Sequence, residues 1–308
     1  MISRRSALAG LGAGAVFSVS HLRSFAQTAP SPAQIVSVGG AITETLFALG
    51  RGPQLRAVDT TSTYPAAANA LPKVGYLRQL SAEGILAMKP DLVLLSGEAG
   101  PAAAVAHLKT AGVALEQVDI GRSPEAVALM VEAIGRATNE SEAASALAAA
   151  VTDQFDALAA ALPTEGRQSV LLLLAAGNGP LLGAGANTAA SAMINLAGGE
   201  LAFPDMQGYK AVSLEPVLAA DPDWIVLPSH VAMAMGGPKG VAALDIVART
   251  RAGSEGRVAI IDSHYLLGFG PRAAQAAADI ATLLYPGANI PPLGRDGTPS
   301  ALVSLAGA

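Results

Sequence analysis

Residues 81–94, Ser-Ala-Glu-Gly-Ile-Leu-Ala-Met-Lys-Pro-Asp-Leu-Val-Leu, align without gaps on residues 213–226, Ser-Leu-Glu-Pro-Val-Leu-Ala-Ala-Asp-Pro-Asp-Trp-Ile-Val, at a constant offset of 213 − 81 = 132. Serine, glutamate, leucine, alanine, proline and aspartate are identical in place. Each copy reads as a short helix opened by serine, a Pro-Asp turn, then an apolar strand. One such unit repeated within 308 residues predicts two α/β lobes of similar design. A cleft between them is the default place for a ligand.

The flanking chain agrees with an α/β pattern. Strands are expected at 35–38, 55–58, 92–96 and 115–119, then again at 170–174, 224–227 and 258–262. Helices are expected at 41–49, 81–88, 101–111 and from Ser123-Pro124-Glu125 onward, then at 188–196, 213–220 and 273–284. Asp59 to Pro72 reads as a polar loop, Gly177 to Gly185 as a Gly-rich turn, and the stretch from Pro286 to Ser300 as a loose tail. Between the lobes, Leu147, Val151, Phe155, Leu158 and Leu162 recur at steps of four and three. Asn139 is placed to cap this helix, with Glu142 for a capping box. A helix over 140–162 would be about 35 Å long at 1.5 Å per residue, a strut between lobes. The domains are therefore 1–26, 27–138, a connecting helix at 139–163, and 164–308.

Residues 1–26 read as an export signal. Ser3-Arg4-Arg5-Ser6 precedes an apolar run too short for a membrane span, in the manner of a twin-arginine leader. Ser24-Phe25-Ala26 places cleavage after Ala26 and the mature protein in the periplasm. The mature chain would carry 19 − 3 = 16 basic and 24 acidic residues, a net charge of −8. That balance and the lack of a basic patch argue against nucleic acid and anionic membranes as partners. The chain has no cysteine, which excludes disulfides, thiolate metal sites, thiol catalysis and a lipid-modified N-terminal cysteine. The glycine spacings at 177–185 fit no phosphate-binding loop, and no Gly-x-Ser-x-Gly elbow occurs. A non-enzymatic role is expected.

The paired glutamates, Glu83 and Glu215, admit two readings. Each could simply favour the positive end of its own helix, worth about 0.3–1 kcal/mol. Taken together, one acid at the same place on each lobe suits a two-fold symmetric partner with basic sockets.

These features resemble the class III substrate-binding proteins of ABC importers, which serve cobalamin, siderophores and haem: an export signal, two related lobes, one long helix and the repeated Glu-x-x-Leu-x-x-x-Pro-Asp unit. Val74-Gly75-Tyr76-Leu77-Arg78-Gln79-Leu80-Ser81-Ala82-Glu83 is similar to the haem-binding members of Gram-negative haem uptake systems. So are Gly185-Ala186-Asn187-Thr188-Ala189-Ala190, Gln207-Gly208-Tyr209-Lys210 and Leu267-Gly268-Phe269-Gly270-Pro271-Arg272. The resemblance covers about residues 34–285. It implies two Rossmann-like lobes joined by one long helix, and a monomer that carries ferric haem b to an inner-membrane ABC permease dimer for iron uptake.

The resemblance also implies that Tyr76 is the axial ligand of the haem iron. A phenolate is a hard anion that suits Fe(III). A free tyrosine ionises near pH 10, so a cation must help, and Arg78 two residues on is the candidate. Tyr209, Lys210, Tyr265 and Arg272 are candidates for propionate or cleft contacts. Some relatives add a histidine from the opposite lobe. Here His230 and His264 follow strand ends, where cleft loops arise, whereas His107 sits in a helix and His21 in the signal segment. Met233 and Met235 read as an apolar wall. Glu83 and Glu215 would dock the lobes onto the permease. The alternatives are a cobalamin or siderophore carrier of the same class, or an exported α/β metalloenzyme.

Overall fold

The computed structural model describes residues 31–175, 179–293 and 302–304. The export signal with its expected cleavage point, and residues 294–301, lie outside them. The first lobe contains β1 (Ile35–Val38), α1 (Gly40–Ala48), β2 (Leu55–Val58), the short strands β3 (Gly75–Tyr76) and β4 (Gln79–Leu80), α2 (Ala82–Ala87), β5 (Leu92–Ser96), α3 (Ala102–Thr110) and β6 (Leu115–Val118). Its sheet is parallel in the order β2-β1-β5-β6. Every residue of β1 and β5 is buried, as befits strands covered by helices on both faces.

Two helices, α4 (Pro124–Thr138) and α5 (Ser141–Ala161), link the lobes. Ser123 caps α4 by accepting the Ala126 N–H at 3.2 Å, with Pro124 in the first turn. Asn139 stands one residue before the N-cap position of the next helix. It is left-handed at φ 59° and closes α4, while Glu140 precedes α5 without a side-chain cap. A left-handed turn is a common stop that asparagine tolerates, and the tight reversal it makes packs the two helices together. Gly135 faces Ala144, where a Cβ would collide. The apolar stripe of α5 buries Val151, Phe155 and Leu158, with Leu147 and Leu162 half-buried at its ends.

The second lobe contains β7 (Ser169–Ala175), β8 (Leu181–Ala184), α6 (Ala189–Leu196), β9 (Glu200–Leu201), β10 (Tyr209–Ala211), α7 (Leu214–Ala220), β11 (Trp224–Pro228), α8 (Ser229–Ala234), α9 (Gly237–Ala242), α10 (Asp245–Ala248), α11 (Arg251–Ser254), β12 (Val258–Ile261), α12 (Ser263–Leu267), α13 (Ala273–Leu284) and β13 (Leu302–Ser304). Strands β7, β11 and β12 are parallel, but β8 and β10 add an antiparallel flank and β13 closes the other edge. The expected Gly-rich turn is therefore partly strand. A Cβ on Gly183 would lie 2.7 Å from Val212 Cγ1, and one on Gly185 would strike the Met206 carbonyl. These glycines mark close backbone approach inside a sheet. Residues 286–293 are not loose either, because Leu293 is buried and Ile290 packs on the same core.

The duplicated unit owes its shape chiefly to aspartate. Asp91 accepts the Ala33 and Gln34 N–H groups at 3.1 and 3.0 Å, just before β1, and Asp223 accepts the Ser169 N–H at 2.9 Å, at the start of β7. Each ties its own strand to the central neighbour. The serines differ: Ser81 Oγ accepts the Gly84 N–H at 3.0 Å, whereas Ser213 makes no such cap. Glu83 and Glu215 are exposed and make no hydrogen bond or ion pair with another described residue.

One apolar layer spans both lobes. It includes Ile42 and Leu46 of α1, Val131 and Ile134 of α4, Phe155 and Leu158 of α5, Met193 and Ile194 of α6, and Ile280 and Leu284 of α13. Separate cores lie on the outer faces of the two sheets.

Candidate functional site

The loops that follow the parallel strands meet around a cavity of about 740 Å³. Ligand clefts of α/β sheets form at these carboxyl ends. Asp59, fully buried, organises the first-lobe floor. It accepts the Gly39 N–H at 2.9 Å, the Thr61 N–H at 2.9 Å and the Ser62 hydroxyl at 2.6 Å. The Thr60 N–H then donates to Gly75 O at 2.9 Å, which joins the floor to the β3–β4 hairpin. Gly75 holds φ at 108°, and a Cβ there would lie 2.9 Å from Gln79 O. The turn that presents Tyr76 needs glycine at this point. The hairpin is fixed from the other side by Leu80 N–H to Gly100 O at 2.8 Å and Gly100 N–H to Leu77 O at 3.0 Å.

Tyr76 lines the cavity and is 42% exposed. Arg78 Nη1 donates to the Tyr76 hydroxyl oxygen at 3.1 Å, and Nη2 pairs with Glu98. Burial opposes the Arg78 charge, but its hydrogen bonds and charge interactions with Tyr76 and Glu98 outweigh that effect and raise its pKa above the ordinary value. Glu98 also faces Arg122 Nη2 at 3.5 Å, and Arg122 Nη1 reaches the Asn187 carbonyl of the second lobe at 3.4 Å. A phenol, two guanidiniums and one carboxylate thus share one wall. They can present a polarised oxygen to a cation and N–H donors to an anion.

From the second lobe, Tyr209, His230, Met233 and His264 line the same cavity. Met233 is 77% exposed, the apolar surface expected of it, whereas Met235 is not in the lining. His230 Nδ1 lies 2.6 Å from Ser263 Oγ, and burial, opposed by the Asp262 charge, lowers its pKa. The ring is therefore favoured in its neutral, ligand-competent form. His264 packs over Gly40 at the start of α1, where any Cβ would collide with the ring, and its buried Nε2 has no hydrogen-bond partner among the described residues.

Three expected contacts lie elsewhere. Lys210 follows Tyr209 on β10, is exposed and does not line the cavity. Tyr265 is buried and donates its hydroxyl to Asp279 Oδ2 at 3.0 Å. Arg272 donates through its backbone N–H to Glu44 Oε1 at 3.0 Å and through Nη2 to Oε2 at 2.9 Å. Its guanidinium lies 3.3 Å from the Tyr64 ring centroid and 5.0 Å from that of Tyr265. Through Glu44 and Tyr64, Arg272 clamps the second lobe to the first. Glu98 and Arg122 had no role in the sequence reading. Their signal was positional, since both follow strands of the parallel sheet, at the ends where sites arise.

Among the described residues, no group of three or more His, Cys, Asp or Glu could hold a metal ion. None of their helices is long and apolar enough to cross a membrane.

Residues 35–265 match the family model described as periplasmic binding protein. The apo structure of the periplasmic heme-binding protein RhuT from Roseiflexus sp. RS-1 superposes with a TM-score of 0.78 at 36% identity, covering 82% of this chain and 98% of that one. The periplasmic heme-binding protein BhuT, solved with two hemes, superposes at 0.75 with 39% identity, over 83% and 98% of the two chains. A vitamin B12-binding protein of Vibrio campbellii is 29% identical over 216 residues, 70% of this chain and 78% of its own. The two-lobed α/β architecture and the family match agree: this chain belongs to the periplasmic binding protein family, as a class III substrate-binding protein of an ABC importer.

Proposed function

We propose that the protein carries ferric haem in the interlobe cleft, with the Tyr76 oxygen on the iron and Arg78 beside it. The observation that carries this reading is the exposed Tyr76 hydroxyl on the cavity wall, bonded at 3.1 Å to a guanidinium. That pair offers a hard anionic oxygen to Fe(III) and a positive charge to hold it so. Haem-binding relatives of similar structure support the same cargo. Tyr209, and His230 or His264 as a second ligand, complete the opposite wall. The mature protein works as a periplasmic monomer.

A cobalamin is the second reading, prompted by the vitamin B12-binding relative. Absorption titration separates the two. Hemin should give a saturable Soret band and a high-spin ferric spectrum, and cyanocobalamin should give no spectral change or competition. No spectral change with hemin overturns the haem reading, and competition by cyanocobalamin supports the second.

Glu83 and Glu215 dock the lobes onto a dimeric permease. In both copies the aspartate takes the structural role, and the glutamate is exposed with no bond to another described residue. Changing both to alanine should leave hemin binding intact and abolish haem delivery to the permease in proteoliposomes. Delivery at the unaltered rate refutes the docking role.

A further inference from the structure

Glu98 occupies a position that the haem reading leaves unexplained. It is an acid in a cleft proposed to take a ligand with two carboxylates. Its two oxygens are divided between two arginines: Oε2 pairs with Arg78 Nη2, and Oε1 lies 3.5 Å from Arg122 Nη2. All three side chains line the cavity, beside Tyr76. None is deeply buried, at 57% exposure for Arg78, 49% for Glu98 and 43% for Arg122.

Two guanidiniums converging on one carboxylate form a carboxylate socket, because the planar fork matches carboxylate oxygens. At this exposure water competes for every partner, and such pairs contribute little to folding. The pairing is therefore easily exchanged. A ligand carboxylate entering the cleft finds the same two donors and displaces Glu98 from them. An ester or amide in its place has no charge to offer and makes no such exchange. Arg122 already reaches the second lobe through the Asn187 carbonyl, so the socket lies where both lobes can meet a ligand.

We infer that Glu98 is an internal stand-in for a ligand carboxylate: it holds Arg78 and Arg122 in place in the empty cleft and competes with the ligand's own carboxylates, so that the Glu98–Arg122 pair sets selectivity for a porphyrin carboxylate over its neutral ester. The inference rests on the haem reading above, and extends it to a residue that need touch neither iron nor ring.

The test compares hemin with hemin dimethyl ester, in which both carboxylates are masked, by absorption titration of the full-length protein. Glu98→Gln removes the competing charge and keeps the shape. It should bind hemin about tenfold more tightly, a change of about 1.4 kcal/mol, and shift ester affinity by a clearly smaller factor. Arg122→Gln should weaken hemin by a similar factor and spare the ester. A role for Glu98 in folding alone would move both ligands together, so an equal change overturns the inference, as does unchanged or weaker hemin binding in Glu98→Gln. If the unaltered protein binds neither porphyrin, the haem reading falls and this inference with it. If it binds both and the variants do not shift the ratio, only this inference falls.

Discussion

Tyr76→Ala should abolish the ferric Soret signature and weaken hemin binding by more than about 100-fold. The size follows from the proposed role. Removing a group that only orients a metal ligand typically costs about 10–100-fold, so removing the ligating atom should exceed that range. Arg78→Ala belongs within the range, because Arg78 reaches the iron only through the Tyr76 oxygen. Folding should be untouched. Tyr76 is 42% exposed and, among the described residues, its hydroxyl bonds only Arg78, and surface changes of this kind usually stay within about 0.5 kcal/mol. Tyr76→Phe isolates the oxygen from the ring and should behave like the alanine variant. Retained hemin affinity in Tyr76→Phe moves the iron to another ligand, with His230 and His264 the next to test.

The second large effect concerns stability. Glu44→Ala should destabilise the protein by about 3–5 kcal/mol, the usual cost of leaving a buried charge without its partner. Glu44 is 7% exposed and Arg272 20%, and the carboxylate takes both the backbone N–H and the guanidinium of Arg272. At roughly 2–4 °C per kcal/mol for a domain of this order of size, the melting temperature should fall by about 10 °C. Glu44→Gln keeps an acceptor for the Arg272 N–H and should lose less. Glu98→Gln provides the contrast, since its pairs are half-exposed and screened by water. Thermal unfolding of the three variants checks the order, and a loss below about 1 kcal/mol in Glu44→Ala would show that the clamp contributes nothing.

The difference between these two ion pairs also explains how far the sequence could be read. The repeated Pro-Asp unit announced two lobes because a gapless 14-residue repeat is visible in the sequence itself, even though its aspartates bond to strand starts 54 to 58 positions away. Helix α13 has the bounds expected for it, 273–284, and Tyr76 and Arg78 could be paired because they lie two residues apart, although the hairpin that carries them was not foreseen. Glu44 and Arg272 lie 228 positions apart, and no local pattern marks one as the partner of the other. Tyr265 lies just past the end of β12, as cleft residues do, and Arg272 lies beyond α12 at the start of α13, yet both face the lobe interface. A strand end supplies both directions, and only packing chooses between them. Strand β8 was hidden for a similar reason, since glycine serves a tight turn and a crowded sheet equally well. Asn139 followed the rule that asparagine ends helices, and the error lay in choosing which helix.

The apolar layer that runs from α1 through α4 and α5 to α13 and α6 has a consequence for the ancestry of the two halves. Here Ile42 and Leu46 belong to the same hydrophobic body as Ile280 and Leu284, so neither half keeps a complete interior of its own. Separating them would expose apolar surface to water along the whole seam. A cavity opened anywhere in this shared layer, however far from the cleft, is therefore expected to loosen both halves.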